Sequence, residues 1–273
     1  MSYGIGTEWI NAYNNLNPLT HEHEDAGGFW DELRNHDSGT GIFNWGDGNA
    51  FEDDFKANTR GGHADQWVEQ ADIVYFTGHG SPSGFYFRSD VPDDSQVRGD
   101  FTSTSAGDDG DLRLGHGDLE WLGLEVCNTL QMDAFQQGAN RDVFDRWADA
   151  FEGLHALLSF TTTSLDLANP GRAFASALDG RWLTAMYGIP EFLVGRHPMR
   201  VIDAWFWMAE FTQPSWVESA VLYANSAGTN TGADFLHDHG FVSSDPHRGG
   251  SWFSWTWIPH ACWAPAHSRK EQS

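Results

Sequence analysis

Positive charge is what this sequence lacks most. Only two of its 273 residues are lysine, Lys56 and Lys270, and 39 acidic residues outnumber 15 basic ones, which leaves a net charge of −24. Nucleic-acid binding needs clustered lysine and arginine to neutralise phosphates, so this composition argues against a nucleic-acid partner. The remaining explanations are a surface adapted to high salt, which screens the repulsion between like charges, and an acidic protein with a cationic partner.

Long apolar runs are also missing. No stretch of about 18 apolar residues occurs, and the opening MSYGIGTEWINAYNN has neither a basic segment nor an apolar segment of the kind that precedes secretion. We therefore expect a cytoplasmic protein without a membrane partner. Its acid-rich, lysine-poor composition resembles that of cytosolic proteins from haloarchaea, which favours the high-salt explanation.

Cysteine is scarce, with Cys127 and Cys262 the only two in the chain. The pair could form one disulfide in an oxidising compartment, but thiols in a cytosolic setting stay reduced. The sequence therefore predicts that Cys127 is a free thiol.

The clearest structural signal is a series of short apolar runs separated by helical patterns. Residues 71–77, 119–126 and 153–160 predict buried strands, and residues 218–224 predict a further strand. Helical spacing appears at 143–151, 171–178 and 201–211, and residues 253–258 alternate as a last strand with one aromatic face. This order predicts an α/β fold, a three-layer sandwich with a largely parallel sheet. Residues 1–65, rich in glycine, asparagine and aspartate, predict short elements and loops rather than long helices.

Two chemically useful residues stand where predicted strands end. Gly78-His79-Gly80 follows the first apolar run, and Cys127 follows the second. Ligands of parallel α/β sheets bind beyond the carboxyl ends of the strands. A thiol becomes a nucleophile beside an imidazole, which can also protonate the leaving group. The sequence thus predicts a catalytic pair, His79 and Cys127. Alternatively, Cys127 is a small buried hydrophobe and His79 a loop residue.

The two blocks together resemble the caspase, gingipain and metacaspase group of cysteine peptidases. One apolar strand ends in His-Gly, the next ends in Cys127, and residues 125–129, 153–160 and 171–178 resemble the gingipain and CHAT-type branches. The resemblance implies a caspase-hemoglobinase-like core over residues 68–225 in a single domain of 1–273, with 226–273 as a Trp-rich extension. It also implies that Cys127 is the nucleophile, that His79 transfers protons, and that the amides of Gly80 and Cys127 form an oxyanion hole.

Glu125 is the predicted substrate-binding residue. It stands two positions before Cys127, so both side chains point to one face of an extended strand. Metacaspases carry an acid at the same offset and prefer basic residues, and the resemblance extends that role to Glu125. Alternatively, Glu125 pairs with a structural arginine such as Arg113 or Arg141.

The expected activity is a thiol-dependent endopeptidase that acts on a peptide or protein substrate without a cofactor or a metal. Two other classes stay open: a non-catalytic binding module, or an acyl-transferring cyclase or ligase, on the same scaffold. A metal-dependent hydrolase would use the histidine pairs of His21-Glu22-His23 and His237-Asp238-His239. The 14 tryptophans indicate either a bulky aromatic core or a stacking groove.

Overall fold

The computed structural model describes residues 2–88, 95–99, 111–136, 139–227, 229–238, 245–246 and 252–259. The strands are β1 (Tyr3–Trp9), β2 (Gly39–Gly46), β3 (Ile73–Thr77), β4 (Gly80–Ser81), β5 (Gly84–Tyr86), β6 (Gln96–Arg98), β7 (Trp121–Glu125), β8 (Asp133–Gln136), β9 (Ala139–Asp142), β10 (Ala156–Phe160), β11 (Glu218–Ser226), β12 (Thr229–Asn230) and β13 (Trp252–Pro259). The helices are α1 (Glu22–His36), α2 (Val143–Trp147), α3 (Pro170–Leu178), α4 (Trp182–Tyr187), α5 (Glu191–Val194) and α6 (Val201–Thr212).

Eight of these strands form one mixed sheet. Its order is β12-β11-β10-β7-β3-β1-β2, and β13 pairs with β11. The five strands from β10 to β2 run parallel, whereas β11 is antiparallel to β10 and β13 is antiparallel to β11. The carboxyl ends of β3, β7 and β10 consequently share one edge of the sheet, and β11 starts at that edge. The fold is α/β with a mostly parallel central sheet, as the sequence predicts.

The central strands form where apolar residues run without interruption. All five residues of β3, of β7 and of β10 are buried, because side chains on both faces of each strand are covered. The predicted strands at 71–77, 119–126 and 153–160 are confirmed, with trimmed ends. The predicted helices at 171–178 and 201–211 appear as α3 and α6, and the alternating residues near the chain's end form β13.

Alternate side chains of β3 enter two separate hydrophobic clusters. Tyr75 packs in one cluster with aromatic residues of α1, α3 and α6, including Phe174 and Trp205. Phe76 packs in the other, with Phe85 and Trp147. Both faces of the sheet are therefore covered, an arrangement that fits a three-layer sandwich.

The expectation for residues 1–65 is wrong. This region contributes β1 and β2 to the parallel sheet, together with the 15-residue helix α1. Strand β1 lies between β2 and β3 and is almost wholly buried. The Trp-rich end, expected as an extension, also joins the main sheet through β13. The central sheet thus draws strands from residues 3 to 259, well beyond the core expected at 68–225.

One predicted helix is shorter than its pattern. Apolar spacing at 143–151 predicts a continuous helix, but α2 ends at Trp147 and a 3₁₀ turn covers Ala148–Ala150. None of the helices in the described ranges is both long and apolar enough to cross a bilayer.

Candidate active site

His79 and Cys127 follow directly paired residues of neighbouring strands. In the parallel ladder of β3 and β7, Thr77 lies opposite Glu125, so His79 and Cys127 each follow two residues later at the same edge. Both side chains are half-buried, and both line one cavity of about 230 Å³. The structure therefore brings the predicted pair together at the carboxyl ends of the strands, where α/β sheets bind ligands.

The loop between β1 and α1 fixes the orientation of His79. Its Nε2 lies 2.8 Å from the carbonyl oxygen of Asn17, which can only accept, so Nε2 carries the proton. Tyr13 packs its ring against the imidazole with centroids 4.7 Å apart, and its Oη accepts the His79 backbone N–H at 2.8 Å. In the neutral imidazole this leaves Nδ1 as the proton acceptor.

Cys127 lies in a bend just before the turn that the Gln131 N–H closes on the Asn128 carbonyl. The next residue, Asn128, has φ of 61°, in the left-handed region that asparagine tolerates better than most side chains. Its N–H donates to the carbonyl of Thr162 at 2.9 Å, which joins the turn to the chain beyond β10. The Cys127 Sγ lies 3.7 Å from the carbonyl oxygen of Ser164. The thiol is free, as the sequence predicts.

Gly80 is needed because its backbone lies against that of Cys127. A Cβ at position 80 would stand 2.6 Å from a methyl carbon of Val126 and 2.9 Å from the carbonyl oxygen of Cys127, closer than side chains approach. Glycine therefore lets the backbones of Gly80 and Cys127 meet beside the thiol. These are the two residues whose amides are predicted to form the oxyanion hole.

Glu125 lines the same cavity, and its partner is an amide rather than an arginine. Its Oε1 accepts from Gln213 Nε2 at 3.0 Å, and among the described residues its Oε2 has no hydrogen-bond partner. Arg113 instead lies 3.8 Å from the carboxylate of Glu152 and donates to the carbonyl of Leu112. In the described part of the chain, no ion pair joins Arg113 or Arg141 to Glu125. Burial raises the pKa of the Glu125 carboxyl well above its usual range, and nearby Asp25 and Glu22 raise it further.

Two further carboxyls lie beside Glu125, both from the first turn of α1. Glu22 lines the cavity and accepts a hydrogen bond from Thr77 Oγ1. Asp25 accepts from the Tyr75 hydroxyl at 2.7 Å and from the Gly171 N–H at 2.5 Å. Burial raises the pKa of Glu22 to about 9, with Asp25 and Asp166 contributing repulsion, and burial likewise raises the pKa of Asp25. A pKa of about 9 keeps Glu22 largely protonated at neutral pH.

Sequence reasoning missed these carboxyls, together with Tyr13, Asn17 and Gln213. A signal for Glu22 and Asp25 exists, since acids three residues apart share one face of a helix. Such acids ordinarily serve the positive end of the helix dipole in solvent, and only the fold shows that these two are buried against the sheet. Asp166, another cavity residue, accepts the N–H groups of Thr20 and His21 just before α1.

The histidine pairs do not form a metal centre in the described residues. No group of three or more histidine, cysteine, aspartate or glutamate side chains is arranged to hold a metal ion within the described ranges. His23 instead packs on Trp9, with ring centroids 4.7 Å apart, and His237 pairs with Asp37 at 2.7 Å. His239, from the second predicted pair, lies outside the described residues, as does Cys262.

Comparison with known proteins assigns the chain to a family but indicates no activity. The family model described as "Domain of unknown function (DUF6345)" matches residues 7–258. That match covers most of the 273 residues, and the chain belongs to this family. No curated protein matches the chain.

Proposed function

We propose that this DUF6345 chain is a cysteine-dependent hydrolase, a peptidase of the caspase-hemoglobinase type adapted to high salt, which forms an acyl-enzyme on Cys127. One observation carries the proposal: His79, Cys127 and Glu125 leave two paired parallel strands at the same edge and line one cavity. A nucleophile, a proton acceptor and a substrate-binding acid within one cleft are the parts that this chemistry requires.

His79 begins the reaction by taking the thiol proton on Nδ1, since Nε2 already donates to Asn17. The thiolate attacks the scissile carbonyl, and the amides of Gly80 and Cys127 stabilise the resulting oxyanion. Collapse of that intermediate breaks the C–N bond, and the imidazolium protonates the departing amine. Water then attacks the thioester with His79 as base, which releases the carboxylic acid and restores the thiol.

The carboxyls of Glu22 and Glu125, which line the cavity, favour an arginine or lysine side chain before the scissile bond. A cation entering the cavity meets acids that are buried, mutually repelling and, at Glu125 Oε2, unpartnered among the described residues. Each acid is costly to ionise alone in this setting, but a guanidinium or ammonium compensates the charge. A bound cation thus offsets the burial and the repulsion that raise these pKa values.

The decisive experiment combines thiol labelling with turnover in molar salt. We expect an iodoacetamide-type probe to label Cys127, mapped by peptide mass, and Arg-containing fluorogenic peptides to be cleaved. Cys127→Ala abolishes both, His79→Ala abolishes cleavage and slows labelling, and Cys262→Ala serves as the matched thiol control. Cleavage that survives Cys127→Ala, or a well-folded protein that neither cleaves nor labels at Cys127, overturns the proposed function.

A further inference from the structure

A second cavity opens at the same edge of the sheet, beyond β10. Its volume is about 540 Å³, and its walls include the indoles of Trp255 and Trp257 and the carboxyls of Asp133 and Glu218. No lysine or arginine belongs to the described residues that line it. We call this cavity the Trp groove.

Hydrogen bonds fix the side chains that line the Trp groove. Trp255 and Trp257 stand two residues apart on β13, so both indoles lie on one face, with centroids 6.2 Å apart. The Trp255 Nε1–H donates to the carbonyl of Leu130 at 3.1 Å. Glu218 Oε2 accepts from the Thr161 hydroxyl at 3.2 Å, which aims the carboxyl toward the same wall.

The Trp groove and the Cys127 cavity are built from the same two chain segments. The segment after Cys127 supplies Gln131, Met132 and Asp133 to the groove, and the segment after β10 supplies Thr161 to the groove and residues 163–167 to the Cys127 cavity.

The Trp groove lies on the face of the sheet where Trp255 packs against the cluster that contains Phe76, whereas Glu125 is paired with Thr77, which contacts α1 on the other face. A peptide that occupies both cavities therefore crosses the carboxyl ends of the strands. The three strand spacings from β7 to β13, about 14 Å at roughly 4.8 Å each, are a lower limit on its span and correspond to about four extended residues.

We infer that the Trp groove binds a second arginine or lysine side chain of the same peptide substrate, about four or more residues from the scissile bond. Indole faces attract cations, and two carboxylates, with no lysine or arginine among the described lining residues, complete a site of matching charge. The inference rests on the proposed function, because the Cys127 cavity fixes the rest of the peptide. It narrows the substrate class to peptides with two spaced basic residues.

The test separates binding from turnover by using the full chain with Cys127→Ala. Fluorescently labelled peptides carry one arginine for the Cys127 cavity and a second at each of the third to seventh positions on either side, with citrulline as the neutral isostere. Anisotropy titrations in fixed salt should show one spacing at which the second arginine binds about 5-fold to 30-fold tighter than citrulline. Trp257→Ala and Asp133→Asn should each remove most of that preference, whereas Trp252→Ala, an exposed indole on the same strand, should leave it intact.

The outcomes distinguish the two proposals. No gain for arginine over citrulline at any spacing overturns the Trp groove inference, as does a gain that is insensitive to both Trp257→Ala and Asp133→Asn. In either case, cleavage of single-arginine peptides by the wild-type chain still supports the proposed function. Conversely, a Trp257-dependent gain in a chain that never cleaves retains the groove as a binding site and removes the peptidase.

Discussion

Two buried glutamates, Glu69 and Glu125, differ in how fully their carboxyl oxygens are hydrogen-bonded. Glu69 accepts the N–H groups of Gly115 at 3.0 Å and of Gly117 at 2.7 Å, and His116 lies 3.5 Å away. Glu125 accepts one side-chain amide, leaves Oε2 unpartnered among the described residues, and faces a cavity. A buried acid with its hydrogen bonds satisfied stabilises a loop, whereas one left partly unsatisfied beside a nucleophile is available to a ligand.

The largest difference should appear in catalysis. Glu125→Gln should lower kcat/KM for Arg and Lys peptides by roughly 30-fold to 1000-fold, because a buried contact between charges is worth about 2 to 4 kcal/mol. Fluorogenic peptides assayed in molar salt measure the change. Stability should change much less, since the carbonyl oxygen of a glutamine can accept from Gln213 as Glu125 Oε1 does. Unchanged cleavage of basic peptides would discard this residue as the substrate acid.

Glu69→Gln should show the opposite pattern. The amide group of glutamine places a donor against a backbone N–H that Glu69 now accepts, which costs about 1 to 3 kcal/mol of unfolding free energy. Urea denaturation in high salt measures this loss, with exposed Glu24→Gln as the control. Peptide preference should stay as in the wild type. A stable Glu69→Gln chain with altered specificity would contradict the distinction between the two acids.

Glu22 extends the comparison to pH. Burial raises its pKa from 4.5 to about 9. Between these two pH values, the folded chain therefore keeps a proton on Glu22 that the unfolded chain releases. The stability from this group is present below pH 4.5 and is lost as pH rises toward 9, with a slope on the order of 1 kcal/mol per pH unit. Glu22→Gln should flatten the dependence of unfolding free energy on pH in urea titrations from pH 5 to 9. Parallel curves for the two proteins would refute a buried, proton-holding Glu22.

Each solvent-exposed acid should change the stability of the fold least, but together these acids should make the melting temperature depend on salt. With a net charge of −24, mutual repulsion weakens the folded state until salt screens it. The melting temperature should therefore rise between about 0.1 M and 1 M potassium chloride. The buried Glu69 is shielded from solvent, so Glu69→Gln should melt lower than the wild type by a similar margin at both salt concentrations. A wild-type melting temperature that stays level or falls would remove the high-salt interpretation.

The sequence predicted the middle of the sheet well because β3, β7 and β10 are buried on both faces and read as unbroken apolar runs. It failed at α1 because the buried face of that helix contains Glu22, Asp25 and Glu32 at helical spacing, so acids interrupt the apolar stripe. Strand β1 escaped notice for a similar reason, since two glycines and buried Glu8 break its pattern.

The candidate site divides in the same way. His79, Cys127 and Glu125 could be predicted because each is one or two residues from the end of an apolar run. Tyr13, Asn17 and Gln213 could not, because they reach the cavity or its histidine only through tertiary packing across more than 60 residues of chain. Local patterns indicate the candidate reacting groups, and only the fold shows which side chains hold them.

The interior position of β1 limits how this molecule can be regulated. Many proteases are kept inactive by an N-terminal segment that proteolytic cleavage later removes. Strand β1 has hydrogen-bonded neighbours on both sides, β2 and β3. The loop that follows β1 fixes the orientation of His79. Excising residues 1–65 would remove β1, β2 and α1, expose one edge of β3 and free the imidazole. Under the proposed function, cleavage that removes this region should therefore abolish activity rather than release it.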